Sequence, residues 1–558
     1  MRRIGALAAL CLLAGCGLLA RYDDGNAMVE AVRTQVDRVA PQGHGDGDQE
    51  ALRRFYEARS YQAAWQGREG EAALQALLRS GTHGLDPALY HASELAERRR
   101  KIDRQTPVAE RAAWDVALSR ALLRLGDHLE QGQVRPELRR VNSPPARPPA
   151  DRVAALERAS HGDPAAEIEA LAPANDAYTR MRHALARLHG IAAAGGWGSV
   201  PRGPALSVGG SGPRVVALRH RLAAEGIAPA AQSPAFDAAL ADAVKRFQDD
   251  HGLTPTGKVD DATLAELNVP VESRIQTVVL NLERLRWMRR AAAPRSLTVN
   301  IPAFELELRD GGNAVLTSRI VVGKSWSPTP VFSDEVVGVI LNPVWNVPES
   351  ITKDEIAPAM QKDPGYLARQ HMRVFRGEEE IDPSSVDWSA APAVSVRQDP
   401  GSENALGRIK FQMPNKFDVY LHDTPAGHLF ARESRAFSHG CIRVEKPMEL
   451  ATALLQDQPE WTSARIEEEI ASLETREVKL THPVPIDITY FTAWTTPAGE
   501  LRFGPDVYGL DRELAGVLKG RPSDATVARG LLRSEQPFDR QTAPEAPTAS
   551  TGGSTPWL

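Results

Sequence analysis

The residues with the greatest capacity for chemistry lie in the stretch FSHGCIRVEK, which holds Cys441, the single cysteine beyond residue 16. A thiolate attacks carbonyl carbons, whereas a free cysteine with a pKa of ~8.5 is only a few per cent thiolate at neutral pH. A neighbouring imidazole can accept the proton. His439 lies two residues before the cysteine, and His422 lies in VYLHDTP, at the end of a predicted strand. The pattern predicts a nucleophilic thiol, and the alternative is a buried, inert cysteine.

The turn around the cysteine also offers hydrogen-bond donors. Gly440 allows backbone angles that other residues resist, so successive N–H groups of Ser438-His439-Gly440-Cys441 can point towards one place. Such amides stabilise the oxyanion that forms when a carbonyl is attacked. We interpret His422, which arrives from a separate strand, as the base that faces the sulfur. Spacing alone does not prove this assignment.

The N-terminus has the layout of a secretory signal. Arg2 and Arg3 precede an apolar run over residues 4–13, and small residues follow. The run is too short to span a bilayer, which needs ~20 apolar residues. Leu13-Ala14-Gly15-Cys16 is similar to the lipobox of bacterial lipoproteins, and that resemblance implies a lipid on Cys16. The alternatives are an ordinary signal that is cleaved nearby and an uncleaved anchor.

Export changes how the lone thiol is interpreted. Gly17 follows Cys16, where an aspartate would suggest inner-membrane retention, so we expect an outer-membrane anchor facing the periplasm. That compartment is oxidising, and cysteines there usually pair. Cys11 lies within the signal and would be removed, which leaves Cys441 without an intramolecular partner. A lone cysteine in an exported chain is a candidate reactive thiol.

Length and charge limit the remaining possibilities. A chain of 558 residues exceeds the usual size of a single core, which predicts several domains. The formal net charge is −6, with both signs intermixed and no long basic run, so nucleic acid is not an expected partner. Apart from the signal, we find no stretch apolar enough to cross a membrane.

The first half of the chain has helical periodicity. Residues 17–48 are polar and predict a flexible tether after the signal at 1–16. Residues 49–204 predict a helical scaffold domain, and residues 205–270 a small unit of three helices. The clearest helix carries one apolar stripe with members three or four residues apart. The stripe consists of Trp114, Leu118, Leu122, Leu125 and Leu129.

The second half changes to strand periodicity. A linker helix is predicted over 271–295, and apolar residues then alternate in SLTVNIPAFELEL. We expect a β-rich, sandwich-like domain over 296–512, with an insertion at about 349–405 that covers a cleft. The alternative for the insertion is a long disordered loop, which is uncommon inside a compact domain. A helical segment over 513–534 and a disordered, low-complexity tail over 535–558 complete a multidomain α+β chain.

The unit at 205–270 resembles the three-helix peptidoglycan-binding domain. The matching residues are the run AVKRFQ at 243–248, Gly252-Leu253, Gly257, Thr263-Leu264 and Leu267-Asn268. The resemblance implies binding to the cell wall. Such modules also serve as spacers, and fold alone does not establish function.

The cysteine block resembles the catalytic domain of L,D-transpeptidases of the YkuD type. Its signature is a histidine, about fourteen to seventeen residues, then Ser/Thr-His-Gly-Cys; here fifteen residues separate His422 from Ser438-His439-Gly440-Cys441. Many members have asparagine two residues after the cysteine, where this chain has Arg443. That departure resembles the large YcbB-like branch, which also has a helical scaffold, a peptidoglycan-binding domain, a capping insertion and an anchor. DVYGLD at 506–511 is similar to the end of that branch.

The resemblance implies a role for each matching residue. Cys441 is the nucleophile, and His422 is the general base, oriented by the backbone at Asp423. Arg443 is a supporting residue that can hold a substrate carboxylate in a two-pronged contact, and its alternative is a structural ion pair. The remaining implied residues are Ser438, as support, and the amides of His439, Gly440 and Cys441, as oxyanion donors.

The same resemblance implies a two-step reaction. Cys441 attacks the diaminopimelate carbonyl of a tetrapeptide stem, expels D-alanine and forms a thioester. The side-chain amine of a diaminopimelate on a neighbouring stem displaces the sulfur and leaves a 3→3 cross-link. No metal, ATP or other cofactor is required, and carbapenems are expected to acylate the same sulfur. The implied partners are stem peptides and, through the lipid on Cys16 alone, a membrane.

Several alternatives remain open at this level. A zinc site would use His422, His428, His439 and Cys441, but only the last two have the close spacing of structural zinc motifs. Two further alternatives are a non-catalytic tether to the cell wall and an enzyme that transfers the acyl group to a different acceptor. Water would make it an L,D-carboxypeptidase, and a protein lysine would make it an anchoring enzyme. The sequence does not specify the oligomeric state, the motion of the insertion or any partner among other cell-wall enzymes.

Overall fold

A computed structural model describes residues 25–38, 47–139, 141–142, 151–227, 232–288, 293–390 and 393–520. The predicted signal with Cys11 and Cys16 lies outside the described residues, as does the predicted tail at 535–558. The predicted segment at 513–534 is described only to residue 520, and a helix at Leu510–Leu518 overlaps its start. Expectations for these regions stay predictions.

The N-terminal region is helical, as expected. One hydrophobic core joins its first seven helices, and Trp65, Leu118 and Leu122 are fully buried in it. Helix α8 packs instead against the later helix α12 (Val271–Trp287), in a second cluster that includes Tyr178 and Leu282. The helices are α1 (25–38), α2 (Gly47–Ala58), α3 (Arg68–Leu78), α4 (Ala92–Lys101), α5 (Val108–Gln131), α6 (Arg152–His161), α7 (Pro164–Glu169) and α8 (Asp176–Ala193).

The predicted tether contains an ordered helix. Residues 17–48 were assigned to a flexible tether because of their polar composition, yet α1 occupies 25–38. Met28, Val32 and Val36 recur every four residues, form one stripe and are buried in the scaffold core. The prediction was wrong for this helix because average composition hides a short amphipathic stripe.

The next unit contains three helices, as the sequence predicted. They are α9 (Pro213–Ala224), α10 (Ala238–Asp250) and α11 (Asp261–Leu267). Asp237 and Asp260 cap the second and third helices by accepting hydrogen bonds from backbone N–H groups three residues ahead. The apolar faces of the three helices meet at Leu218, Phe247 and Leu267.

This unit is docked against the rest of the chain through an aromatic and ionic contact. His251 stacks between Phe247, with ring centroids 4.0 Å apart, and Phe503, at 5.2 Å. Its Nδ1 lies 2.8 Å from a Glu266 carboxylate oxygen. The guanidinium of Arg274, from helix α12 (Val271–Trp287), lies 4.4 Å from the Phe503 ring centroid. The small unit and the C-terminal hairpin therefore share one buried interface.

The C-terminal half is built on one large sheet. Its strands run in the order β1-β5-β10-β11-β13-β4-β3-β2-β14, and β12 pairs with β4. Strand β14 also pairs with β5, so the sheet closes on itself rather than forming two separate layers. The strands are β1 (Val141–Asn142), β2 (Arg295–Asn300), β3 (Glu305–Asp310), β4 (Asn313–Gly323), β5 (Val331–Leu341), β10 (Ile409–Gln412), β11 (Leu421–His422), β12 (Ala436–Ser438), β13 (Ile442–Val444) and β14 (Arg476–Thr489).

Alternating side chains fill the interior of the closed sheet. Leu297, Val299, Leu306 and Leu308 are fully buried there, as their period of two predicted. Helices α16 (Pro447–Leu454) and α17 (Ser463–Ala471) add apolar side chains to the same core. A separate hairpin, β15 (Ala493–Thr495) and β16 (Leu501–Phe503), and helix α18 (Leu510–Leu518) follow.

The predicted insertion is an ordered cap with its own core, not a disordered loop. Its four-stranded sheet has the order β6-β9-β7-β8, and the cap begins at β6, a few residues before the predicted start at 349. Its elements are β6 (Trp345–Asn346), α13 (Glu349–Ile351), a π-helical turn at Thr352–Ile356, α14 (Ala357–Lys362), α15 (Tyr366–Arg369), β7 (Met372–Arg376), β8 (Glu379–Ile381) and β9 (Ser395–Gln398).

Membrane spans were sought among the described residues. None of their helices combines the length and the apolar character that a bilayer crossing requires.

The docked interface makes a stability prediction. Phe503→Ala should lower the free energy of unfolding by about 3 kcal/mol, because a buried ring is lost and the His251 and Arg274 contacts lose their partner. Chemical denaturation measures the change. Val208→Ala is the control, since Val208 is an exposed apolar residue of the small unit. Equal stability of the two variants would show that the docking contact contributes little.

Candidate functional site

Strand pairing brings the predicted catalytic residues to one face of the sheet. β11 pairs in parallel with β13, with Leu421 opposite Ile442 and His422 opposite Arg443. Leu421 and Ile442 point into the core, so His422 and Arg443 point to the opposite face. Cys441 directly precedes β13 and, by alternation, faces the same side as Arg443. The histidine and the cysteine, 19 positions apart in the sequence, are thus neighbours on adjacent strands.

The imidazole of His422 is buried and held in one orientation. Its Nδ1 lies 2.6 Å from the carbonyl oxygen of Asp423, which places the proton on Nδ1 and leaves Nε2 as an acceptor. Burial, with smaller effects from the charges of Arg443 and Lys410, lowers the pKa of His422 to about 3. The ring is therefore a neutral base at physiological pH.

Asp423 contributes its backbone to the site and its carboxylate to the fold. The carboxylate accepts hydrogen bonds from the N–H groups of Arg408, at 2.8 Å, and Thr424, at 2.7 Å. The side chain packs against Gly407, where an added Cβ would lie 2.4 Å from the Asp423 carboxyl carbon. The carbonyl that orients His422 is consequently fixed by several local contacts.

Cys441 is partly exposed and has a neutral thiol in this state. Burial raises the pKa of the Cys441 thiol, and hydrogen bonds from Tyr420, with the charges of Lys410 and Arg443, oppose that rise. The thiol also donates a hydrogen bond to the Asp418 carbonyl oxygen, which lies 3.8 Å from the sulfur. The structure places His422 beside the thiol without a hydrogen bond between them, a geometry that often tightens only when substrate is bound.

The Ser-His-Gly-Cys turn has a defined internal structure. Gly440 has a φ of +117°, in the region that favours glycine. Its N–H donates to the Ser438 Oγ at 3.1 Å, and the Ser438 hydroxyl donates to the Cys441 carbonyl at 2.5 Å. Ser327 and Thr329 donate to the carbonyls of His439 and Gly440. Ser438 thus supports the turn, as the sequence suggested.

The amide of Cys441 is better placed than that of Gly440 to stabilise an oxyanion. The Gly440 N–H is already bonded to Ser438, so its predicted donation to an oxyanion does not fit this state. The N–H of Cys441 has no hydrogen-bond partner among the described residues. The oxyanion role of the turn stays a prediction, with the Cys441 amide as the favoured donor.

The cap reaches the catalytic turn through His439. The His439 Nε2 lies 2.6 Å from a carboxylate oxygen of Glu355, which belongs to the π-helical turn of the cap. The edge of the Trp326 ring packs against the imidazole, with ring centroids 5.3 Å apart. His439 therefore contacts the cap, and His422 occupies the position suited to a base.

Arg443 faces the site with unused hydrogen-bonding capacity. Its Nε is buried and has no hydrogen-bond partner, and Arg443 forms no ion pair with a carboxylate among the described residues. The structural ion pair considered as its alternative role is not present there. A guanidinium in this position can bind a substrate carboxylate.

The zinc site considered as an alternative is not formed by the described residues. Within the part of the chain that the structure describes, no group of three or more His, Cys, Asp and Glu side chains could hold a metal ion. His428 is exposed in a short helical turn at Gly427–Ala431.

Several residues of the site were missed in the sequence. Lys410 lies opposite His422 in the β10–β11 pair, so it shares the face of the histidine. Tyr420 receives a hydrogen bond from the Trp345 side chain of the cap. Period-two alternation about the core residues Ile409, Phe411 and Leu421 would have placed Lys410 and Tyr420 on this face, but Glu355 had no local signal.

Comparison with known proteins assigns each domain. Residues 294–467 match the model of the L,D-transpeptidase catalytic domain, residues 211–267 that of a "Putative peptidoglycan binding domain", and residues 50–185 that of a scaffold domain. A "Putative L,D-transpeptidase" of Haemophilus influenzae is 36% identical over 248 residues, which cover 44% of this chain and 50% of that protein. This chain therefore matches about half the length of its curated relative.

Solved structures give weaker similarities. An L,D-transpeptidase fragment of Xylanimonas cellulosilytica is 14% identical, covers 52% of this chain and 99% of its own, and has a TM-score of 0.19. An L,D-transpeptidase of Stackebrandtia nassauensis is 11% identical, covers 52% and 96% respectively, and has a TM-score of 0.22. These scores carry no structural argument, and the domain assignment depends on the sequence matches.

The electrostatics of the site predict a pH profile. Alkylation of Cys441 by iodoacetamide should rise steadily up to and beyond pH 9, because burial raises the pKa of the thiol above its ordinary value. No reactive plateau near pH 6 is expected, since a thiolate–imidazolium pair requires a protonated His422, whose pKa is about 3. Mass spectrometry of the intact protein follows the rate. A plateau at pH 5–7 would show that the ion pair exists at rest.

The contact between cap and turn makes a second prediction. Glu355→Gln should weaken the contact with His439 and increase hydrogen exchange in residues 349–362 several-fold, because a charge-assisted hydrogen bond is lost. Glu349→Gln, an exposed substitution in the same segment, is the matched control. Unchanged exchange in the Glu355 variant would show that the cap core alone holds the cap in place.

Proposed function

Since residues 294–467 form an L,D-transpeptidase catalytic domain, we propose that this chain forms 3→3 peptidoglycan cross-links through a thioester on Cys441. The supporting observation is the shared face of β11 and β13, where a neutral, oriented His422 lies beside the lone thiol. Within the described residues the thiol has no cysteine partner. The site therefore has a nucleophile and a base, and needs neither a metal nor a cofactor for acyl transfer.

The first step of the proposed reaction releases D-alanine. As the sulfur of Cys441 attacks the diaminopimelate carbonyl of a tetrapeptide stem, its proton moves to Nε2 of His422. The carbonyl electron pair moves to oxygen, where the Cys441 N–H donates a hydrogen bond. The C–N bond then breaks, and the leaving amine takes the proton from the imidazolium. The hydrogen bond from Nδ1 to Asp423 keeps the ring in the tautomer that this transfer needs.

The second step uses the same groups in reverse. The side-chain amine of a diaminopimelate on a neighbouring stem attacks the thioester and gives a proton to His422. The C–S bond breaks, the sulfur is protonated again and the new amide remains. One amide is exchanged for another, so no ATP is required. The same thioester chemistry leads us to expect acylation of Cys441 by carbapenems.

Arg443 is proposed to orient the donor peptide. Stem peptides carry free carboxylates next to the reacting carbonyl. The Arg443 guanidinium, which forms no ion pair within the described ranges, faces the same side as the thiol. A two-pronged contact would fix the position of the peptide before attack.

The cellular location is proposed from the sequence. A positive N-terminus, a short apolar run and Leu13-Ala14-Gly15-Cys16 support export to the periplasm, with lipid on Cys16 anchoring the chain to the outer membrane. The unit at 211–267 matches a peptidoglycan-binding model, which supports peptidoglycan as the partner of the chain. Binding of this unit to peptidoglycan stays a prediction, and a role as a spacer between domains is its alternative.

The acceptor decides among related activities. Water in place of the amine gives an L,D-carboxypeptidase, and a protein lysine gives an anchoring transpeptidase, both with the same acyl-enzyme. A non-catalytic tether would need no reactive thiol. The cap contacts the catalytic turn through Glu355 and His439, and a cap that limits the access of water to the thioester would favour transfer to an amine.

Purified protein incubated with tetrapeptide muropeptides should give a cross-linked dimer together with free D-alanine, detected by mass spectrometry. Cys441→Ser should abolish both products, and His422→Gln should slow them by about a thousandfold, the order expected for loss of a general base. Thermal unfolding checks that the variants are folded. Free tripeptide without dimer would indicate hydrolysis, and turnover in Cys441→Ser would overturn the proposal.

A further inference from the structure

Lys410 occupies the catalytic face without an assigned role. It lies on β10 directly opposite His422, and its neighbours Ile409 and Phe411 point into the core. Its ammonium nitrogen lies 3.9 Å from the centroid of the Tyr420 ring. This cation–π contact holds the ammonium at the strand whose backbone and hydroxyl contact the Cys441 sulfur.

The ammonium has no carboxylate partner in the described part of the chain. Asp418, in the connection between β10 and β11, acts on Lys410 through its charge but forms no ion pair with it. The other groups that face Lys410 are Tyr420 and His422 from β11 and Cys441 at the start of β13. A partly buried cation without a counter-ion is costly, so its retention next to a thiol calls for a negative charge that forms during reaction.

The positive charges of Lys410 and Arg443 both act on the pKa values of Cys441 and His422, but with a different order of strength. Lys410 acts on Cys441 more strongly than Arg443 does, whereas Arg443 acts on His422 more strongly than Lys410 does. Of the two cations, Lys410 therefore has the larger effect on the thiol, and its positive charge lowers the pKa of Cys441.

We propose that Lys410 is a positioning residue of this site, held by the Tyr420 ring so that its ammonium stabilises the charge that develops on the Cys441 sulfur. Lys410 exchanges no proton in the reaction. The proton of the thiol moves to His422, and the sulfur electron pair attacks the carbonyl. Because His422 is neutral at rest, it supplies no positive charge to the sulfur until the proton moves, whereas the ammonium is charged throughout. This inference depends on the proposed function only for the reaction that it serves.

The test removes the charge and measures the resting thiol. At pH 7.5, iodoacetamide should alkylate Cys441 about tenfold more slowly in the Lys410→Met variant than in the native protein. This is the change expected for a thiol pKa raised by about one unit. Lys410→Arg should restore the rate to within about twofold. Lys416→Met is the matched control, because it removes an exposed lysine from the connection that follows β10.

A second alkylating reagent distinguishes an effect of the Lys410 charge from a structural effect of the substitution. The rate with anionic iodoacetate, divided by the rate with neutral iodoacetamide, should fall several-fold in Lys410→Met and stay unchanged in Lys416→Met. A purely structural lysine would not alter this ratio. Lys410→Gln provides a second neutral variant if Lys410→Met folds poorly.

The outcomes distinguish this inference from the proposed function. An unchanged rate in Lys410→Met, or an arginine variant that behaves like the methionine variant, would overturn the role of Lys410. Both measurements use the full chain without peptide substrate. Failure to cross-link muropeptides would therefore overturn the proposed function and leave the alkylation result unaffected.

Discussion

The parallel pairing of β11 with β13 is the constraint on which the site depends. Only two residues of β11 take part, yet this pairing fixes Leu421 and Ile442 in the core and sends His422 and Arg443 to the other face. The hydrogen bond from the Ile442 N–H to the Tyr420 carbonyl, at 3.0 Å, extends the pairing to the residue beside the thiol. A shift of one residue would turn the base into the core, because side chains alternate along a strand.

Burial determines the electrostatic character of that face. It keeps His422 neutral and Cys441 protonated, so the resting site stores no separated charge. Charge separates only when the proton moves, and the Lys410 ammonium is proposed to stabilise the negative charge that then develops on the sulfur. Preorganised charge of this kind needs no rearrangement at the moment of reaction.

The sequence predicted local features better than spatial relationships. The catalytic block, the three-helix unit and the alternating strands were recognisable because each depends on residues close in sequence. The contact between Glu355 and His439 was not, since it joins a π-helical turn to a loop 84 positions away, and no periodicity encodes such a meeting. Helix α1 was missed although its signal is local, because its apolar stripe has only three residues and lies within an otherwise polar segment.

The close packing of Gly407 on Asp423 links the cap to the base. Gly407 follows the cap core, which ends at Leu406, and its φ of +62° turns the chain back into the sheet. Asp423 fills the space that a larger residue would need at this turn. A side chain at position 407 would therefore displace Asp423, the residue whose carbonyl orients the imidazole, so the geometry of the base depends on a hydrogen atom at the end of the cap.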